Sequence, residues 1–195
     1  MVSRRILIIQ GHPDAGTRHL GHALADAYAA GAEAAGHAVR RITVAELDFP
    51  LVRSQVAWER GEVPTAIRAA QEAVRWADHL VILYPLWLGT LPALLKGFFE
   101  QLFRPDFAFG EAADGDRPGR HLKGRSARIV VTMGMPAFLY RWYFRAHSLR
   151  SFERNVLRFC GIGPVRETLF GVVDAGGGRQ ARWLRAMARL GKKGR

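Results

Sequence analysis

Along this chain, short runs of Val, Ile and Leu alternate with stretches whose apolar residues recur every three or four positions. The first pattern belongs to strands buried on both faces and the second to helices that cover them, so the alternation predicts a parallel sheet between two helical layers. Five strands are expected: Arg5 to Gln10, Ala38 to Thr43, His79 to Tyr84, Arg128 to Thr132 and Pro164 to Val173. Each is bounded by Gly, Pro or polar residues. Four helices fall between them. The first presents Leu20, Ala23, Leu24, Ala27 and Tyr28 and ends near Gly36; the second runs from about Pro64 to Ala77, opening on a proline whose missing amide hydrogen costs nothing there. The third, Pro92 to Phe103, buries Leu94, Leu95, Phe98, Phe99 and Leu102, and the fourth aligns Leu149, Phe152, Val156, Phe159 and Cys160. Gly176-Gly177-Gly178 reads as a flexible break before a basic terminal helix, Arg179 to Leu190.

With right-handed crossovers, five strands alternating with helices leave few topologies, and the doubly wound order 2-1-3-4-5 is the expected one. Its binding crevice lies beyond the carboxyl ends of strands one, three and four. One connection, Arg104 to Arg125, is unusually long: Phe107-Ala108-Phe109 is expected to pack, and Ala112 to Arg120 to move.

A length of 195 residues with 49% apolar content fits one compact domain, taken as 1–174 with a basic helix or tail at 175–195. No apolar run approaches the roughly 20 residues that span a bilayer, and the run Ile6 to Ile9 stops at Gln10-Gly11-His12-Pro13-Asp14, so a cytoplasmic protein without a signal peptide is expected. The single cysteine, Cys160, has no internal partner and reads as an inert buried thiol. The net charge is +12, but the last 17 residues alone carry Arg179, Arg182, Arg185, Arg189, Lys192, Lys193 and Arg195 without an acid. Arg150, Arg154 and Arg158 repeat every four residues, as on a solvated helix face. The charge is therefore largely a tail, and without interleaved aromatic and basic residues nucleic-acid binding is not expected.

The candidate chemistry lies in loops that follow strands. After the first strand, Gly11-His12-Pro13-Asp14-Ala15-Gly16-Thr17-Arg18-His19 leads into a helix start, where unpaired amide hydrogens and the helix dipole favour an anion. His12, Thr17, Arg18 and His19 add donors suited to phosphate. Neither a dinucleotide fingerprint nor a P-loop is present; the plainer alternative is a turn capped by Thr17. After the third strand, Tyr84-Pro85-Leu86-Trp87-Leu88-Gly89-Thr90-Leu91-Pro92 puts bulky apolar side chains between two prolines, where the chain leaves the sheet. A planar ring would give them a partner, or they cover the core. His19 and His22 stand three apart on a helix without a carboxylate or cysteine nearby in sequence, so no metal site is expected. No serine nucleophile elbow is present.

The stretch Tyr84 to Phe99, with Pro92-Ala93-Leu94-Leu95-Lys96-Gly97 at its centre, resembles the signature of the flavodoxin-like NAD(P)H:quinone oxidoreductases, a family that also includes ancillary flavoproteins of glutathione-gated potassium efflux systems. The similarity extends to Gly11-His12-Pro13, Phe107-Ala108-Phe109, Leu122-Lys123-Gly124-Arg125 and Gly161-Ile162. It implies a flavodoxin-like fold and a tightly bound flavin, FMN or FAD. His12, Thr17, Arg18 and His19 would hold its phosphate and Pro85, Leu86, Trp87 and Leu88 would contact the ring. Where the family has Thr-x-Gly-Gly, this chain reads Thr132-Met133-Gly134-Met135-Pro136, leaving Thr132 and the amides of Gly134 and Met135 for the pyrimidine edge. Tyr140 and His147 match a Tyr and a His of the family that stabilise charge beside the ring, at a spacing of seven rather than six; they also read as ordinary loop and helix-cap residues. The activity implied is ping-pong hydride transfer from NADH or NADPH to a quinone or another planar acceptor, in a homodimer with Trp87, Leu88, Phe138 and Trp142 at the boundary. The alternative is an ancillary subunit of a membrane potassium-efflux transporter, whose basic tail meets an acidic partner surface or anionic lipid.

Overall fold

The computed structural model describes residues 2–110, 119–173 and 177–195. Its elements, in chain order, are β1 (Arg5–Gln10), α1 (Leu20–Glu33), β2 (Ala38–Thr43), α2 (Gln55–Arg60), α3 (Thr65–Trp76), β3 (His79–Pro85), α4 (Ala93–Leu102), β4 (Phe109–Gly110) and β5 (Gly119–Arg120). There follow β6 (Ser126–Met133), α5 (Ala137–Trp142), α6 (His147–Ser151), β7 (Val165–Gly171) and α7 (Gly177–Lys192). The main sheet has the order β2-β1-β3-β6-β7 and every pairing in it is parallel, the doubly wound arrangement expected from the alternation of strands and helices.

Successive strand residues point to opposite faces, and both faces are covered. Leu7, Ile9, Leu80, Ile82, Ile129 and Val131 meet α3, α4 and the α6 region, while Ile6, Ile8, Val81, Leu83 and Val130 meet α1 and α7. Buried phenylalanines fill the first core, with Phe98, Phe99, Phe103 and Phe152 in a chain of ring contacts. Burying each contributes about 2–3 kcal/mol. The edge strand β2 is instead studded with Arg40 and Arg41, which stack on Trp76 and pair with Asp26 respectively, a charged edge that discourages pairing with another sheet.

Four expectations need correction. The fourth helix is not one α-helix: after α6 the chain widens into π-type turns over Phe152–Leu157, Arg158 N bonding to Glu153 O, so Leu157 turns into the core and Phe159 turns out, half exposed. The first helix is capped by His19 rather than Thr17. The terminal helix begins at Gly177, inside the run read as a break; Gly176 lies outside the described residues, as does 112–118 of the connection expected to move. This helix also docks: Trp183 and Met187 are buried, and Gly31 and Gly191 let its backbone touch that of α1. The elements α2 and α5 escaped notice because α2 buries no residue and α5 only Tyr140, so neither carries an apolar stripe.

The chain leaves β1 toward β2 on one side and reaches β3 on the other, so the strand order reverses between β1 and β3. In such sheets a crevice opens there, outside the carboxyl ends of the strands.

Candidate active site at the carboxyl ends of the strands

Three loops converge at this crevice. Gly11, at the tip of β1, donates its amide to Leu83 O at 2.7 Å, and a methyl there would stand 2.5 Å from the Leu95 side chain. Only glycine lets the first loop lie this close to β3 and α4. The loop then folds on Asp14, whose Oδ1 accepts from Gly16 N at 2.8 Å and Thr17 N at 3.2 Å, while Oδ2 meets His19 Nε2 at 2.7 Å. These donors, the His19 ring foremost, hold the Asp14 carboxyl down to about 2.

Three imidazoles crowd the start of α1. His12 stacks on His19 with centroids 3.8 Å apart, and His22 Nδ1 accepts the His19 amide at 3.1 Å. His12 itself is buried; its amide is held by Gln10 Oε1 and its Nδ1 accepts from Asp14 N, which leaves Nε2 to carry the proton. Burial, and then the neighbouring imidazoles, lower the pKa of both His12 and His22. Near neutral pH these rings are therefore neutral donors. Arg18 is swung out to pair with Asp26 at 2.9 Å, and Thr17 is exposed with its amide on Asp14. Among the described residues, the amides of Leu20 and Gly21 donate to no protein acceptor, the expected condition of a helix start, and those of Ala15 and Arg18 in the loop before it donate to none either.

The second loop is a tight turn: Trp87 and Thr90 exchange backbone hydrogen bonds at 3.0 Å, with Leu88 at φ 48° and Gly89 at φ 79°. Both central positions are left-handed, the geometry that favours Asn-Gly or Gly-Gly. A leucine there is strained, and its side chain is fully exposed. Trp87 is half exposed and lies edge-on to His12 with centroids 6.0 Å apart, joining the first loop to the second. Pro85 ends β3, and Leu86 N bonds to Thr132 O at 2.8 Å, joining the second loop to the third. In the third loop the carbonyls of Met133 and Met135 accept from Val173 and Val172, but among the described residues the amides of Gly134 and Met135 donate to nothing. The structure thus brings His12, His19, Trp87, Leu86, Thr132, Gly134 and Met135 to one end of the sheet.

Tyr140 is almost wholly buried: its hydroxyl lies 2.8 Å from Ser148 Oγ and accepts from Leu149 N at 3.3 Å. The turn it closes contains two consecutive left-handed residues, Arg145 and Ala146, at φ 52° and 48°. His147 follows directly, exposed at the first position of α6. Beside the second loop, a cavity of about 490 Å³ is lined by Trp87, Leu88, Leu91, Lys96, Ser148 and Phe152, among others. Sequence reasoning missed Ser148, and Gln10 as the support of His12; an isolated polar residue ending an apolar run was the only signal for Gln10.

A model of the flavodoxin-like fold family matches residues 4–193. An uncharacterized NAD(P)H oxidoreductase of Haemophilus influenzae is 28% identical over 169 residues, 85% of this chain and 82% of that protein. Human ribosyldihydronicotinamide dehydrogenase [quinone] is 30% identical over 119 residues, 57% of this chain but only 49% of that protein. Among solved structures, the NAD(P)H:quinone oxidoreductase from Methanothermobacter marburgensis superposes with a TM-score of 0.80 over 100% of both chains at 22% identity, a likeness of fold. With 190 of its positions spanned by that family model, and with three loops drawn together where such sheets bind their ligands, the chain belongs to the flavodoxin-like family.

Proposed function

We propose that this protein is a flavin-dependent oxidoreductase that draws hydride from NAD(P)H and delivers it to a quinone or a related planar acceptor. That it is an oxidoreductase stands on the family and on relatives named for NAD(P)H oxidoreduction. The observation that carries the finer reading is the pair of amides at Gly134 and Met135, unpartnered among the described residues and set at the same sheet end as a strained, solvent-facing Leu88 and a helix start whose first amides have no acceptor among those residues. Gly134 is exposed and Met135 half-buried, so these two amides stand open to the edge of a ligand, and a fully exposed apolar side chain calls for a ligand face.

These residues fit a flavin. The amides of Leu20, Gly21 and Arg18 and the neutral His12 ring would hold its phosphate, with His19 and the Thr17 hydroxyl alongside; Arg18 joins them on leaving Asp26. Pro85, Leu86, Trp87 and Leu88 would cover the ring, and Thr132, Gly134 and Met135 would hold its pyrimidine edge. A flavin held by these residues would supply the redox chemistry of a hydride transfer between nicotinamide and acceptor. The protein positions the reactants and stabilises charge. His147 is the group free to meet charge at the ring, and Tyr140 positions it by locking the turn that precedes α6.

The cavity beside Trp87 and Ser148 would receive nicotinamide and acceptor in turn. A second copy of the chain would cover Leu88, Phe138, Trp142 and Tyr143, all strongly exposed in the single chain. The ancillary-subunit alternative would use the outward arginines of α7, Arg182, Arg185 and Arg189. Reversing their charge tests it without undocking the helix.

The deciding experiment is an absorption spectrum of the purified protein with mass measurement of the released chromophore, which also separates FMN from FAD. Quinone reduction by NADH and NADPH is then followed by stopped flow. Protein that stays colourless with either flavin in excess, and whose melting temperature does not rise, sinks the reading.

A further inference from the structure

At the opposite end of the sheet, the amino ends of the strands enclose a second polar site. A cavity of about 660 Å³ is lined by Arg4, His79, Ser126, Arg166, Lys193 and Arg195, with Asp78 the one acid among its lining residues. Asp78 is already taken, held by the Arg5 guanidinium at 2.6 and 3.2 Å and by the Arg5 amide at 2.9 Å. The cations follow from register. His79 and Arg128 lie on the face of β3 and β6 that carries Val81 and Val130, and Arg128 stands directly opposite Arg166 in the β6–β7 pairing. Like charges placed opposite one another in a sheet repel. The end of α7 then brings Lys193 and Arg195 over the same spot, fixed there by Arg4 Nη1 on Gly194 O at 3.0 Å.

The polar atoms are not satisfied internally. His79 is 2% exposed; its Nδ1 meets Ser126 Oγ at 2.8 Å, and its Nε2 has no partner among the described residues. Arg128 is 5% exposed and donates Nη1 to Thr168 Oγ1, but its Nε has no partner among the described residues. Arg166 and Lys193 make no side-chain hydrogen bond or ion pair with any described residue. Burial first, then Arg128, Arg4 and Arg166, hold the His79 imidazole down to about 3, so the positive field of these arginines reaches the ring. Such convergence of guanidinium forks and an ammonium, with buried donors behind them, lacks only an anion.

We infer that this cavity binds the phosphoryl group of a small soluble molecule, distinct from any ligand of the crevice at the carboxyl ends. Arg166 and Lys193 would contact its oxygens, with His79 and Arg4 at the base of the cavity. A doubly charged tetrahedral oxyanion matches several donors arriving from different strands better than a carboxylate does. The volume leaves room for the molecule that bears it.

The test uses the full-length protein saturated with flavin, so that the first loop is filled. Melting temperature is followed against inorganic phosphate and glycerol phosphate, with potassium chloride at matched ionic strength. A saturable rise beyond the chloride control is expected, reduced at least tenfold in apparent affinity by Arg166→Gln and by Lys193→Gln, largely restored by Arg166→Lys, and unchanged by His12→Ala. Both glutamine positions are exposed, and far-ultraviolet circular dichroism serves to show that those variants are folded. A rise matched by chloride reduces the effect to screening and overturns the inference. So does a rise that survives Arg166→Gln and Lys193→Gln but vanishes in His12→Ala. Co-sedimentation with phosphatidic acid vesicles, in the absence of any rise with soluble phosphates, would move the ligand from a small molecule to a lipid headgroup and equally overturns it.

Discussion

Among the described residues, the two ends of this sheet are both short of acceptors, but in opposite ways. At the carboxyl end the free donors are neutral: backbone amides of Gly134, Met135 and the α1 start, and imidazoles whose pKa burial has lowered. A carboxylate, Asp14, sits among them, paired with His19. At the amino end the donors are full charges, Arg4, Arg166, Lys193 and Arg195, with Arg128 buried behind them, and the nearby acid is spent on Arg5. Neutral, oriented dipoles grip an anion by geometry and are insensitive to salt, whereas exposed side-chain cations attract from a distance and are screened. The first arrangement suits a ligand that is held in one pose for chemistry. The second suits a ligand recognised by its charge.

The largest effect that separates the ends is a stability change at low pH from His79. Its folded pKa, about 3, lies below the ordinary 6.5, so the unfolded chain binds the extra proton between these values. Stability from this residue is full above about 6.5 and is lost as pH falls toward 3, by on the order of a few kcal/mol. Urea denaturation from pH 7 to 4 should show a shallower decline for His79→Gln than for the unaltered protein; equal slopes would mean that the ring is solvated.

Next in size is Gly191→Ala. Alanine normally favours a helix, but here its methyl would press on the Tyr28 carbonyl where α7 crosses α1. A cost of about 1–3 kcal/mol is expected from the forced contact, read as a lower denaturation midpoint, with flavin affinity at the far end nearly unchanged. A parallel loss of flavin binding would show the two ends to be coupled.

At the crevice, His12→Ala removes a buried donor and should weaken flavin binding about tenfold, equivalent to roughly 1.4 kcal/mol. Asp14→Asn keeps an acceptor for Gly16 and Thr17 but removes a charge near the proposed phosphate, and should tighten binding several-fold; fluorescence titration reads both. If Asp14→Asn weakens binding instead, the carboxylate organises the loop more than it repels the ligand. The smallest effect expected is at Leu88. Glycine there relieves a left-handed leucine and should stabilise the fold by about 0.5–1 kcal/mol, while slowing quinone turnover because the exposed apolar contact is gone. Faster turnover with the same gain in stability would remove Leu88 from the site.

Much of the architecture was legible because both strand faces are buried. That requirement writes unbroken Val, Ile and Leu runs into β1, β3 and β6, and their alternation with helical stripes leaves few topologies. The local chemistry of the loops was legible as well: a helix start after β1, and apolar residues where polar ones belong at Trp87 and Leu88. What the sequence could not supply were features decided by partners distant in the chain. The stack of His12 on His19 depends on how Asp14 folds the loop, and the Tyr140 hydroxyl is taken by Ser148 across two left-handed residues. The π-type turns exist because the helix must deliver Leu157 to the core, and the packing of α7 because Gly31 and Gly191 remove the atoms that would keep two backbones apart. Periodicity is a property of neighbours along the chain, so the sequence by itself determined the strands, the main helices and their order. Charge convergence is a property of neighbours in space: the cationic cavity at the amino ends joins residues from 4 to 195, and only the tertiary structure could assemble it.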